Sequence, residues 1–254
     1  MKKLTLLVLV ALSGCAGMQV NKSQVTAAKK VAVVGYQGVL QLEDQNGNNQ
    51  KNGIAGAIGA SKAAADLMSG RMGERRAQQG EAGYTELTKR LQTTFQWEVA
   101  PREALATVPV YQDRLARPSK LTRMGTQTVP GVLTPGELMS MKKQELGELA
   151  KALGVDAVAT VNLTYTVGKT GGFAVAGMGS TTRYPVATAH LTVVDTNGQV
   201  IWEDFAAKGK VASTGLRTTM GADLVENETE VLSEAAASAF DAVIERYQAF
   251  EEKK

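Results

Sequence analysis

"DAVATVNLTYTV" occupies residues 156–167, and its reading decides the fold. Ala157, Ala159, Val161, Leu163 and Tyr165 alternate with Val158, Thr160, Asn162 and Thr164. A two-residue period marks a strand with one buried face. "PVATAHLTVVD" (185–195) repeats the alternation, and "QVIWEDFAAKG" (199–209) gives a third strand. Between the last two, Asn197-Gly198 predicts a tight type I′ hairpin turn. The three segments together predict an antiparallel meander.

Working outward, helices flank this meander. "TPGE" (134–137) offers Thr134 as N-cap, Pro135 at the first helical position and Glu137 reaching back, a capping box. Leu138, Leu146, Leu149 and Leu153 supply the buried side of the predicted helix, and Gly154 ends it in a left-handed turn. Downstream, 228–250 is a long amphipathic helix with Val231, Leu232, Ala235, Ala239, Phe240, Val243 and Tyr247 as its stripe. Upstream, "KKVAVVGY" (29–36) holds the continuous apolar run Val31–Val34, a strand covered on both faces. In "GYTELTKRLQTTFQWEVA" (83–100), Tyr84, Leu87, Leu91 and Phe95 share a helix face, and a short strand begins at Trp97. The expected class is α/β (α+β): a mixed sheet with a C-terminal antiparallel three-stranded meander, packed by two or three helices.

Three stretches resist this pattern. Residues 37–83 contain the polar "QLEDQNGNNQKNG" and an Ala/Gly-rich run, and read as a Gly-rich insertion with a weak helix over 57–78. Gly53, Ala57 and Ser61 have the spacing of a close helix-packing motif. Residues 107–133, with Pro109, Pro118 and Pro130, read as a long connection. "TGGFAVAGMGSTTRYP" (170–185) reads as a flexible Gly-rich loop that touches a partner.

The N-terminus supplies an address. Lys2 and Lys3 precede the nine-residue apolar stretch Leu4–Leu12, the form of a secretory signal peptide. A membrane-spanning helix needs ~20 residues. Leu12-Ser13-Gly14-Cys15 has the pattern of a lipobox, in which the cysteine thiol is the nucleophile that takes the lipid. Cys15 is the only cysteine of the 254 residues, so no disulfide is available. Alanine rather than aspartate at position 16 resembles sorting to the outer membrane. The expected organisation is signal peptide 1–14, lipidated tether 15–29 and a single periplasmic α/β domain 30–254. Of 28 Lys and Arg, removal of Lys2 and Lys3 leaves 26 against 25 acidic residues. That balance lacks the basic excess of a nucleic-acid binder.

Chemistry-bearing motifs are few. His190 is the only histidine, so neither a His-Cys nor a multi-His metal site can be assembled. Asp195 and many serines exist, but no Gly-x-Ser-x-Gly elbow accompanies them, and His190 reads as a plain strand residue. "GKT" at 168–170 lacks the glycine of a phosphate loop five residues upstream, where Leu163 stands. "DQNGNN" at 44–49 places Asn49 and Ala55 where a calcium loop needs Gly and Glu. Glu43 with Asp44, and Glu251 with Glu252, read as solvated runs. No catalytic, cofactor or metal residue is assigned, and Cys15 is the one site residue.

"LAKALGVDAVATVNLTY" (149–165) and "TRYPVATAHLTVVDTNGQVIWE" (182–203) are similar to segments of the curli-secretion-channel (CsgG-like) family. The likeness lies in Leu-Gly before Asp-Ala, Val-Asp before the turn and Gly-x-Val-x-Trp after it. A related fold is that of the TolB N-terminal domain. The resemblance implies an outer-membrane lipoprotein facing the periplasm. Its partners would be the membrane, through the lipid, and a periplasmic or outer-membrane protein, self-association included. Channel members of the family carry membrane hairpins at places corresponding to 107–133 and 166–184. The first holds Asp113, Arg114, Arg117, Lys120 and Arg123 here. The expected function is a non-enzymatic adaptor in envelope assembly or secretion, with a ring-forming curli-type channel as the alternative.

Overall fold

The structure is a computed structural model that describes residues 17–41, 71–116, 126–138, 141–175, 178–219 and 227–252. In chain order the elements are β1 (Met18–Val20), α1 (Lys22–Ala27), β2 (Lys30–Gln41), α2 (Arg71–Phe95) and β3 (Glu98–Val99). A 3-10 turn (Arg102–Thr107), α3 (Pro109–Leu115), β4 (Thr126–Gln127), α4 (Pro135–Leu138) and α5 (Lys143–Leu153) follow. The chain ends with β5 (Ala157–Val175), β6 (Met178–Asp195), β7 (Val200–Lys208), β8 (Leu216–Thr219) and α6 (Glu228–Glu252).

One mixed sheet organises these elements, in the order β1-β7-β6-β5-β2-β3, with β4 on β2 and β8 on β6. The meander β5-β6-β7 is antiparallel as its alternation requires, and β2 joins β5 in parallel. Asp156 sets that parallel register. Its Oδ2 accepts the backbone N–H groups of Lys29 and Lys30 at 2.7 and 2.8 Å, while its own N–H donates to Lys30 O.

α2 and α6 cover one face. Tyr84, Leu87 and Leu91 are buried there, as are all seven stripe residues of α6. Phe95 sits at the centre of an aromatic group, 5.0 Å from Trp97, 5.3 Å from Trp202 and 5.1 Å from Tyr247, ring centroid to ring centroid. Below it, Asp204 is fully buried and accepts from Arg246 Nε at 2.8 Å. That bond ties α6 to β7, because a buried carboxylate left alone is costly. On the other face, α4 and α5 cover one end of the sheet, where Val158 and Val194 pair and are buried.

Several expectations need correction. The tether read over 15–29 is structured from residue 18. β1 pairs with β7, Asn21 caps α1, and Val20, Val25 and Ala28 enter the core. A three-residue strand and a six-residue helix are too short to show a period. The Gly-rich insertion is narrower than 37–83, since β2 runs to Gln41 and α2 begins at Arg71; Gly53, Ala57, Ser61 and most of the helix expected over 57–78 lie outside the described residues. Gly80 and Gly83, which weaken the helical pattern, are inside α2 for a packing reason. A Cβ on Gly83 would lie 2.0 Å from Tyr36 Oη, and one on Gly80 would lie 2.2 Å from Thr128 O.

The connection 107–133 contains α3 and β4. Pro109 starts α3, and the buried Tyr111 anchors it, donating to Val34 O at 2.7 Å and accepting from Leu133 N at 2.8 Å. The helix expected over 134–153 is two helices. The Thr134–Glu137 box forms and opens α4, and a second start follows where Lys142 N–H donates to Glu145 Oε2. Gly154 ends α5 at φ 64° as expected. The β6–β7 turn is not type I′. Gly198 has φ 75°, but Asn197 is not left-handed. Asp195 Oδ1 instead accepts from Asn197 N and Gln199 N and sets the turn.

Asp156→Ala should lower the urea midpoint at pH 7 by an amount equal to about 1 kcal/mol with the slope unchanged. The Lys30 and Lys29 N–H bonds hold the Asp156 carboxyl below its ordinary pKa. Its contribution is therefore full above the ordinary aspartate value of ~3.9 and is lost as pH falls through the lowered folded value. A gap between wild type and variant that persists undiminished below that lowered value would contradict the pin.

Candidate functional site

The most distinctive feature is an arm. β5 and β6 remain paired beyond the body of the sheet, through Lys169↔Tyr184 and Gly171↔Thr182 to Val175↔Met178. The loop expected over 170–185 is thus a hairpin. Its glycines hid the alternation, because a residue without a side chain marks neither face. The arm leaves the body at a bulge between Val167 and Lys169. Bulges bend and twist a strand. At this one Gly168 is required, since a Cβ there would lie 2.7 Å from Val211 Cγ2.

β8 makes the arm three-stranded by pairing Leu216–Thr219 with Ser180–Arg183. Its base is packed. Leu216 is buried, Lys169 Nζ stands 5.6 Å from the Tyr184 ring centroid, and a Cβ on Gly215 would meet Thr182 Cγ2 at 2.1 Å. β2 pairs with β5 only as far as Thr166. From Val167 to Val175, β5 therefore has no described strand on its outer side. A strand edge exposes a row of backbone N–H and C=O groups, and this one has no partner strand among the described residues. Sequence reasoning singled out the stretch 170–185 but not β8, whose four residues follow a Gly-containing link.

Beside the arm lies the polar half of the sheet's second face. Gln37, Asn162, Thr164, Thr166, Thr188, His190 and Thr192 are half-buried in adjacent rows of β2, β5 and β6. His190 is in a strand, as read from the sequence. Its Nε2 is 3.5 Å from Thr192 Oγ1, and its ring lies 4.4 Å from that of Phe205. Burial pushes its pKa below the ordinary value, against the opposing pull of Glu203 and Asp204. Asp195 is five residues away along β6, ~17 Å of extended strand, and its carboxylate is occupied by the turn. The structure does not bring these two together. Gly168-Lys169-Thr170 lies within β5 and cradles nothing.

Among the described residues no group of three His, Cys, Asp or Glu is arranged to hold a metal ion, and no helix is long and apolar enough to cross a membrane. An open groove between α1 and the β6–β7 turn is lined by Asn21, Gln24, Lys143 and Gln199. Gln24 is engaged there with Asp195 and Gln199. Cys15, Glu43, Asp44 and the 44–49 stretch lie outside the described residues.

No protein-family model matches the chain, and no curated protein matches it. Among solved structures, the chain is similar to the crystal structure of lipoprotein GNA1162 from Neisseria meningitidis. The alignment covers 87% of this chain and 99% of that one, at 16% identity and a TM-score of 0.24. A likeness at that score carries no argument about this chain.

Gly215→Val should separate β8 from the arm and leave the body folded, because the overlap is confined to Thr182 and Tyr184. Limited proteolysis should then cut between 209 and 219 several-fold faster, with the aromatic near-UV signal unchanged. Equal cleavage of variant and wild type would contradict the packing of the arm's base.

Proposed function

We propose that this protein is a lipid-anchored, non-enzymatic adaptor of the outer membrane that faces the periplasm and takes a protein partner in envelope assembly or secretion along its arm. The observation that carries this reading is the outer edge of β5 from Val167 to Val175, which lacks a described strand neighbour. Strand addition to such an edge gives main-chain hydrogen bonds without a deep pocket. Further support comes from the lipobox ending at Cys15, and from a charge balance that suits neither nucleic acid nor a strongly charged substrate.

The alternative is a subunit of a ring-forming channel of the curli type. The continuity of the β5–β6 hairpin favours it, since a channel must present strands to lipid. Against it stands the region 107–133, the place of the first membrane hairpin in the family it resembles. That region holds helix α3, started by Pro109 and fastened by Tyr111. One hairpin among the described residues fits a docking arm better than a barrel segment.

Deletion of 170–181 should abolish crosslinking to the partner in native membranes without lowering the melting temperature of the body. Lipidated protein added to planar bilayers should give no ion conductance. Stable single-channel steps with rings in negative-stain images would overturn the adaptor in favour of the channel. Undiminished crosslinking by the deletion variant would remove the arm as the docking surface.

A further inference from the structure

We propose that Phe205 is a membrane contact, a ring that rests in the headgroup layer beside the lipidated N-terminus. This rests on the reading of Cys15 as the lipid-bearing residue. Phe205 is one of three large apolar side chains that are exposed among the described residues, at 49%. Unlike Val110 and Val211, it touches the start of the folded chain. Phe205 N–H donates to Gly17 O at 2.8 Å, and a Cβ on Gly17 would lie 3.4 Å from Phe205 Cβ. Gly17 has φ 100°, which an L side chain rarely adopts. The next residues are locked to β7 by the pairs Met18↔Asp204, Gln19↔Glu203 and Val20↔Trp202.

The length of chain between the anchor and this point decides the partner. One residue, Ala16, separates Cys15 from Gly17, and these two chain steps span at most ~7 Å. Acyl chains on the Cys15 sulfur and amine lie in the hydrocarbon, so Cys15 itself sits at the level of the headgroups. The headgroup layer is roughly 5–7 Å thick on each side of the bilayer. A tether running to residue 29 would have let the domain swing free. With β1 paired from residue 18, the β1–β7 edge is held at the surface and Phe205 is carried there with it. Aromatic rings are favoured at that depth. The His190 ring packs against Phe205. Lys208, exposed three residues on, supplies a cation for anionic headgroups.

The test uses the lipidated full chain in phosphatidylcholine–phosphatidylglycerol vesicles, with or without bromine near the headgroup end of the acyl chains. Phe205→Trp is compared with Val110→Trp, which is equally exposed at 48%. Val110 follows β3, at the opposite edge of the sheet from β1. Trp97 and Trp202 are buried and give both variants the same background. Bromine should quench F205W at least about twofold more than V110W, as expected of a ring at the interface. Ala206→Cys provides a second readout. It carries the one free thiol when Cys15 is lipidated, and a nitroxide there should show reduced collision with water-soluble nickel.

Intact mass showing lipid on Cys15, with F205W quenched no more than V110W, overturns this inference and leaves the anchor standing. An unmodified Cys15 overturns the anchor, and the inference falls with it. Blue-shifted F205W emission without bromine quenching places a protein surface, such as a second copy, over Phe205 and also overturns it.

Discussion

The hydrogen bonds from the Lys29 and Lys30 amides to one oxygen of Asp156 hold together two strands whose starts are separated by half of the 254-residue chain. They fix where β2 begins against β5, and so set a parallel ladder running from Val31↔Ala157 to Gln41↔Thr166. The rest of the sheet depends on that ladder. β6 and β7 follow from β5 by antiparallel pairing, while β3 and β4 depend on β2. Bringing distant strands together costs loop-closure entropy, which local turns do not. A charge-assisted pair of backbone bonds at the entry to both strands offsets part of that cost. The buried Val31–Val34 run, flanked by strands and covered on both faces, offsets more.

Elements long enough to show a period were legible in the sequence. The meander, α6 and the second half of α2 each repeat their apolar positions several times. Tyr84, Leu87 and Leu91 are buried as their spacing demands. Short elements were not legible, because three residues of β1 or two of β4 carry no period. Glycine misled in two opposite ways. In α2, Gly80 and Gly83 belong to the stretch 37–83 read as a Gly-rich insertion, yet they sit in a helix and admit the Thr128 backbone and the Tyr36 hydroxyl. In the arm, glycines at 168, 171, 172, 177 and 179 removed the alternation that would have marked a hairpin. The β6–β7 turn was placed correctly but given the wrong geometry. The Asp195 side chain, not an Asn-Gly pair, supplies its hydrogen bonds.

The start of β1 and the tip of the arm lie at different levels of the same sheet. β1 meets β7 beside Thr192 of β6, whereas the arm ends at Met178. About 14 residues of strand, on the order of 45 Å, separate the two levels. In the proposed reading this distance is the useful dimension of the molecule. One edge is tied close to lipid by a linker of two residues, and the arm presents the side without a described strand neighbour far from that attachment. The body between them is rigid for ordinary reasons: a continuous apolar core, the Phe95 aromatic group and the Asp204–Arg246 bond between sheet and helix.

The claim that the outer edge of β5 is where a partner joins is tested most directly by amide hydrogen exchange. The measurement compares lipidated protein purified in detergent with the same protein in its native membranes. The account predicts that alternate amides from Val167 to Val175 exchange quickly in detergent and become protected in the membranes, while Val31–Val34 stay protected in both. Equal exchange across Val167–Val175 in the two states would contradict it.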